Sequence, residues 1–237
     1  SMQSNSGLFR VLATLVATAV LAGTPARAGV EHFDHVSFMN DAIRQSSDPE
    51  RLTMVMWFPN IFWEWSFSQD AAVSEEMRAE FMSVVEPYVM VGVVDGTIGP
   101  FGGPTFTEGS ELRKTVKLID SKGKHYDPLE ADAISSDAAN FTAMMKPMLA
   151  NMIGPMGANM EFFYFPARTG QGLPIARADK EGNFSITVAD EAYEWRTPLG
   201  SVLPFRYCPK DNEQMSGAWS FCPWHGKKLV SKPGKKK

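Results

Sequence analysis

Two tetrads near the C-terminus have the clearest chemical spacing in the chain, Cys208-Pro-Lys-Asp211 and Cys222-Pro-Trp-His225, with ten residues between them. Each sets two potential metal ligands three positions apart around a proline. That spacing lets one tight turn aim both side chains at a single point. Gly226 follows the second tetrad and can take the positive φ such a turn requires. Zinc accepts thiolate, imidazole and carboxylate at closely similar distances. Cys208, Asp211, Cys222 and His225 together therefore predict one structural zinc site. Cys208 and Cys222 are also the only cysteines of the chain. In an oxidising compartment a disulfide between them is the competing reading. A disulfide, however, gives no reason for Asp211, His225 or Gly226.

The segment YCPKDNEQMSGAWSFCPWHGKKL, residues 207–229, resembles a zinc ribbon, whose usual text is C-P-x-C-G followed by F-C-P-x-C-G-K-x-L. It departs from that text at Asp211 and His225, where cysteines are usual, and at Asn212, where a glycine is usual. The resemblance covers about a tenth of the chain and implies a closed, structural metal site.

The first 28 residues read as a secretory signal peptide. Arg10 precedes the apolar run at residues 11–23, and Ala26-Arg27-Ala28 forms an A-x-A cleavage site. The run is short for a transmembrane helix, so no membrane span is expected once the leader is removed. This places the protein in the periplasm or outside a bacterial cell. The whole chain carries −4. Two leader arginines and six lysines in the last eleven residues hide a body, residues 29–226, of about −12. So acidic a body argues against nucleic acid as a partner. The lysine-rich tail, residues 230–237, can meet an anionic envelope polymer or lipid, or simply stay solvated.

The elements that must carry the tetrads come from residues 29–204, read as one main domain ahead of a ribbon-like module at 205–229. Residues 51–59 are a β-type apolar run. An aromatic cluster from Trp57 to Phe67 follows, suited to a core or to a ligand groove. Ser74 caps a helix over residues 74–86, ended by Pro87. Tyr88–Val94 is a buried strand. Residues 97–106 form a rigid Gly- and Pro-rich connection that lacks the text of a phosphate loop. A hairpin at residues 114–128 turns through Ser121-Lys-Gly123. Residues 137–160 begin as a helix, with Pro147 predicting a kink or a late start. Strands follow at 161–166, 184–188 and 193–198.

Two further ligand patterns appear. His32 and His35 share a face if residues 29–47 are helical. Methionine falls at 144, 148, 152, 156 and 160, and a thioether row can select Cu(I). Packing is the favoured reading of both: a terminal helix packing Phe33, Val36 and Ile43, and methionines filling an adaptable core.

These elements predict an α+β protein. The succession Tyr88–Val94, residues 116–126 with a D-x-x-G turn, and Glu161–Pro166 loosely resembles an immunoglobulin-like bacterial extracellular domain, a β-sandwich with helical insertions. A thioredoxin-like α/β body is the alternative, with residues 51–94 as β-α-β, though without a C-x-x-C pair. No nucleophile–base text such as G-x-S-x-G or H-E-x-x-H occurs. The expected function is a non-enzymatic exported domain binding a protein or an envelope component, with the ribbon as a zinc clip. The alternative is a metal-dependent or metal-handling protein using zinc or copper.

Overall fold

The computed structural model describes residues 32–234. The leader and the last three lysines lie outside the described residues. Strands β1 (Ile43–Gln45), β2 (Met54–Phe58), β3 (Tyr88–Val94) and, late in the chain, β8 (Glu161–Pro166) form one antiparallel sheet in the order β1-β2-β3-β8. Every residue of β2 is buried, and every residue of β3 except Tyr88. A strand alternates its side chains across the sheet, so such runs need cover on both faces. Val55, Trp57, Val91, Val93, Phe163 and Phe165 belong to one core cluster. Met54, Met56, Phe58, Met90, Val94 and Tyr164 belong to another.

Helices cover the second face. They are α2 (Asn60–Ser68), α3 (Glu75–Val85) and α5 (Ser136–Ile153), contributing Trp63, Phe67, Phe81, Val85, Phe141, Met145 and Leu149. As expected, the Ser74 side chain caps α3, here through the Met77 N–H. Helix α5 runs unbroken across Pro147 and stops at Gly154, whose φ is +61°. The alternative of a late start is overturned, since the helix begins at its Ser135 cap, ahead of the exposed Pro147. A short helix α6 (Pro155–Ala158) follows it.

The first face meets a second antiparallel sheet. Its strands are β6 (Lys117–Ile119), β7 (His125–Tyr126), β9 (Gly182–Val188) and β10 (Glu191–Thr197), in the order β10-β9-β6-β7. Burial alternates strictly in β10, with Tyr193, Trp195 and Thr197 inward. Trp57 meets the Phe184 ring edge-on at 4.7 Å, and Phe184 stacks on Trp195 at 5.2 Å. Helix α1 (His35–Ala42), capped by Asp34, adds Phe38 and Ala42 to this core. Two smaller pieces interrupt the pattern. Hairpin β4 (Gly96–Ile98) and β5 (Pro104–Phe106) occupies the expected loop, and helix α4 (Gly109–Thr115) takes the start of the expected hairpin at 114–128. The hairpin turn itself is as read: Gly123 has φ +79°, and Asp120 accepts the Lys122 and Lys124 N–H groups.

The architecture is therefore mixed α+β, with six helices and several antiparallel sheets among the described residues. No sandwich or barrel is identified among them. An immunoglobulin-like sheet leaves one face to water, whereas here helices cover that face of the first sheet. The thioredoxin-like alternative is corrected by strand direction. β2 and β3 pair antiparallel, with Met54 opposite Val94, although helices α2 and α3 lie between them. A β-α-β crossover would make them parallel.

A polar network pins the sheet end. The Asp95 carboxylate accepts from Thr107 at 2.8 Å, from Arg51 at 3.1 Å and from the Thr53 hydroxyl. Arg51 reaches on to Asp190 in the β9–β10 turn. Burial pushes the Asp95 carboxyl up, but these hydrogen bonds and the Arg51 charge outweigh it and hold it below its ordinary value of 3.8. A depressed folded pKa gives stability that is present above the ordinary value and lost as pH falls through the folded one. Asp95→Asn should therefore lower the denaturant midpoint at neutral pH. It should also flatten the loss of stability that the native chain shows below about pH 4.

Gly92 lies at the centre of β3. A Cβ there would sit 2.5 Å from the sulfur of Met160, which is fully buried. Gly92→Ala should cost about 1–3 kcal/mol by overpacking. Met160→Ala alone should cost about 2–5 kcal/mol by leaving a cavity. The double variant should cost less than the sum, since the new methyl fills part of the space. Strict additivity in equilibrium unfolding would show that the two do not share that space.

Candidate metal centre

Residues 205–234 build a small unit from two short strands, β11 (Arg206–Tyr207) and β12 (Gln214–Met215), with Tyr207 paired to Gln214. Isolated bridges Tyr207↔Val230 and Phe221↔Lys228 close it. Its core is Cys208, Met215, Cys222 and Leu229, all buried. Both tetrads fold into the same turn. In the first, the Asn212 N–H donates to the Cys208 carbonyl at 2.8 Å, and the Cys208 N–H donates to Glu213 at 2.9 Å. In the second, Gly226 donates to Cys222 at 2.8 Å, and Cys222 donates to Lys227 at 2.8 Å. The offsets are identical, and so is the conformation that ends each turn: φ is +62° at Asn212 and +60° at Gly226. Asn tolerates this left-handed region better than other side chains. It also brings two contacts a glycine lacks, since its amide donates to the Gly234 carbonyl and accepts from the Gly234 N–H.

The two turns face each other and bring Cys208, Cys222 and His225 together, their ligand atoms all within 4.8 Å of one another. His225 Nδ1 lies 3.4 Å from the Cys208 sulfur and 3.6 Å from the Cys222 sulfur. Ordinary zinc bond lengths in a tetrahedron place sulfur and nitrogen about 3.6 Å apart. The two cysteines are separate thiols. Asp211, the fourth predicted ligand, stands beside this set and not within it. One of its oxygens is 3.5 Å from His225 Nδ1, while the other accepts the Glu213 N–H at 3.0 Å. That local hydrogen bond, the largest cause, helps hold its carboxyl below the ordinary range. Burial, with the Asp211 carboxylate and the Cys222 thiol beside it, pushes the Cys208 thiol up, and the Lys210 and Asp211 N–H groups offset this only in part. Two sulfurs, an imidazole and a neighbouring carboxylate suit zinc and match no hard-cation site.

The other candidates are spent elsewhere. His32 Nε2 accepts the Phe205 N–H at 2.9 Å and meets the Phe205 ring edge-on, anchoring the first described residue to the base of the module. His35 stacks on Trp65. The two imidazoles are thus engaged separately. The methionine row divides: Met160 is fully buried, Met144 and Met156 pack against the helical core, and Met152 is 59 % exposed. A spacing of four drifts around a helix by about 40° per step, which spreads the sulfurs over different surroundings.

The aromatic cluster is mostly core, with Trp57, Phe58, Trp63, Trp65 and Phe67 all buried. A cleft of about 490 Å³ does open beside Trp57 and Phe58, between the start of α2 and residues 167–179. Glu64, Glu86, Arg177 and Asp179 are among the side chains that line it. Burial, followed by the charge of Glu86, pushes the Glu64 carboxyl up. The text gave no sign of these cleft residues, since they gather from segments far apart in sequence. Among the described residues, no helix is long and apolar enough to cross a membrane.

Compared with protein-family models, curated proteins and solved structures, the chain matches none.

The two roles of Asn212 can be separated. Asn212→Gly preserves the positive φ and should leave the paired thiols undisturbed, while freeing the segment around Gly234 to faster proteolysis. Gly226→Ala meets no neighbouring atom, so its cost should be the backbone term alone, about 1–2 kcal/mol. Limited proteolysis and thermal unfolding of the two variants check both statements.

Proposed function

We propose that this chain is an exported, non-enzymatic protein that binds a protein or an envelope component, and that one structural zinc ion holds its C-terminal module. Cys208, Cys222 and His225 are the principal ligands, and Asp211 is the fourth donor. One observation carries the metal reading: two like turns bring two sulfurs and an imidazole nitrogen together, each sulfur–nitrogen distance near the one a tetrahedral ion imposes. When bound, zinc supplies a crosslink between the two turns. With four protein donors it has no position for a water nucleophile, so it is a structural part and not a reaction centre. The chain's own groups prepare the site. The positive φ at Asn212 and Gly226 closes each turn behind its ligands, and the buried Met215 and Leu229 pack beside the two sulfurs. Export is supported by Arg10, the apolar run at 11–23 and the A-x-A text at 26–28.

A second reading has its own observation. Asp211 stands outside the close set, and the remaining Cys2His donors match sites that keep an open fourth position. A labile ion there would suit a metal-handling or metal-dependent protein.

Metal analysis of the purified full chain separates these readings. The structural site predicts one zinc per chain that survives dialysis against a weak chelator; ready loss favours the second reading. His225→Ala should release the ion and loosen residues 205–234, seen as faster proteolysis there with the body's unfolding unchanged, because metal affinity is folding free energy in so small a unit. Asp211→Ala should keep the site but weaken it by about 10–100-fold, the range for a supporting partner or weaker ligand. A metal-free native chain with Cys208 and Cys222 oxidised to a disulfide would falsify the zinc site.

A further inference from the structure

The bridge between Phe221 and Lys228 sets which side chains of the module face outward. Side chains alternate across such a pairing. Cys222 and Leu229 are buried, while Phe221 is 60 % exposed and Val230 39 %. Trp219 precedes Phe221 by two residues and is 47 % exposed; Trp224, in the turn of the second tetrad, is 72 % exposed. Three large aromatics stand open to water within six residues, beside the exposed Lys227 and Lys228. Single exposed apolar residues need no explanation, but three large aromatics so close along one small unit suit a surface with a partner.

Charge narrows what that is. Residues 205–234 hold five basic residues against two acidic ones, whereas residues 32–204 hold 13 against 24. Zinc held by two thiolates leaves this balance unchanged, because the ion's charge offsets two lost protons. A basic, aromatic-tipped unit on an acidic body complements an anionic bilayer. Tryptophan and phenylalanine settle at the headgroup boundary, and the negative surface potential draws lysine. We propose that this face docks on an anionic lipid surface, with Trp219, Phe221 and Trp224 entering the headgroup boundary and Lys227 and Lys228 meeting the lipid charge. The proposal rests on the reading of residues 205–234 as a metal-held unit of an envelope protein, and it names the component bound. The same surface repels the acidic body, so contact is confined to the module and the body is held away.

Vesicle flotation with the zinc-loaded full chain tests this. The probes are vesicles of phosphatidylcholine alone, vesicles enriched in phosphatidylglycerol, and soluble dextran sulfate as a polyanion without a bilayer. Binding is expected to the anionic vesicles and not to the neutral ones, and it should fall as salt rises. The paired changes F221A/W224A and K227E/K228E should each weaken it by about tenfold or more, since each removes a separate contribution. Both pairs should keep their zinc, because none of the four residues is a ligand. No binding to anionic vesicles by a zinc-loaded chain overturns the proposal and leaves the metal reading standing. Binding that survives F221A/W224A, or that dextran sulfate matches, also overturns it, since lysines alone would then suffice. A chain that holds no zinc but floats with anionic vesicles through these residues supports the surface and sinks the metal reading.

Discussion

The requirement that both faces of β2 and β3 be covered organises the body. Twelve strand positions in these two runs include a single partly exposed residue, Tyr88. Removing apolar area from water is worth roughly 25 cal/mol per Å², so neither face can be left open. Neither neighbouring element can cover both. The helices α2, α3 and α5 take the methionine-rich face, and the β6–β7–β9–β10 sheet takes the face that carries Trp57. The second sheet needs only one cover, and its strands accordingly alternate. The order of layers thus follows from which strands are apolar at every position and which at every second one.

The C-terminal module obeys the opposite arithmetic. Its buried cluster is four residues, two of them the cysteines, and a unit of this size cannot offset the chain entropy of about thirty ordered residues by burial alone. Small units solve this with a staple, a metal or a larger neighbour to lean on. Here some support comes from the body, where His32 binds the Phe205 N–H, and some from within the module, where the Asn212 amide clamps Gly234 at the far end. What the fold places where a staple belongs is the group of Cys208, Cys222 and His225. This is why the metal proposal is an argument about stability before it is one about chemistry.

The parts legible in the sequence were those fixed by neighbours along the chain. The Ser74 cap, the Tyr88–Val94 run and the Gly123 turn each depend on a few consecutive residues, and each stands where its text placed it. The ligand turns belong to the same class, since their geometry is set within five residues. Helix α2 was illegible for a physical reason. It is apolar over most of NIFWEWSFS, so no polar face marks a helical period. The pairings β3 with β8 and β6 with β9 join segments roughly seventy residues apart, and nothing local encodes them. Asp211 shows the limit within the site itself. Its type and spacing are those of a ligand, but short carboxylate side chains also bond nearby backbone, and the Glu213 N–H holds one of its oxygens.

The two ligand departures from the usual ribbon text, Asp211 and His225, would take on a common sense if the protein is exported, as proposed. A ribbon with four cysteines carries two thiols in each turn, three residues apart, a spacing at which oxidation joins them readily. Here each turn carries one thiol, with His225 or Asp211 in the other ligand position. No disulfide can form within a turn, and one across the site requires Cys208 and Cys222 together. A bound ion would hold both of those as thiolates ligated to metal, facing a buried interior. Replacing half the sulfurs weakens the softest part of the donor set, but it removes the competing oxidation from each turn. The trade would suit the proposed oxidising compartment, and it puts the remaining sensitivity at one pair of atoms whose separation the metal itself would maintain.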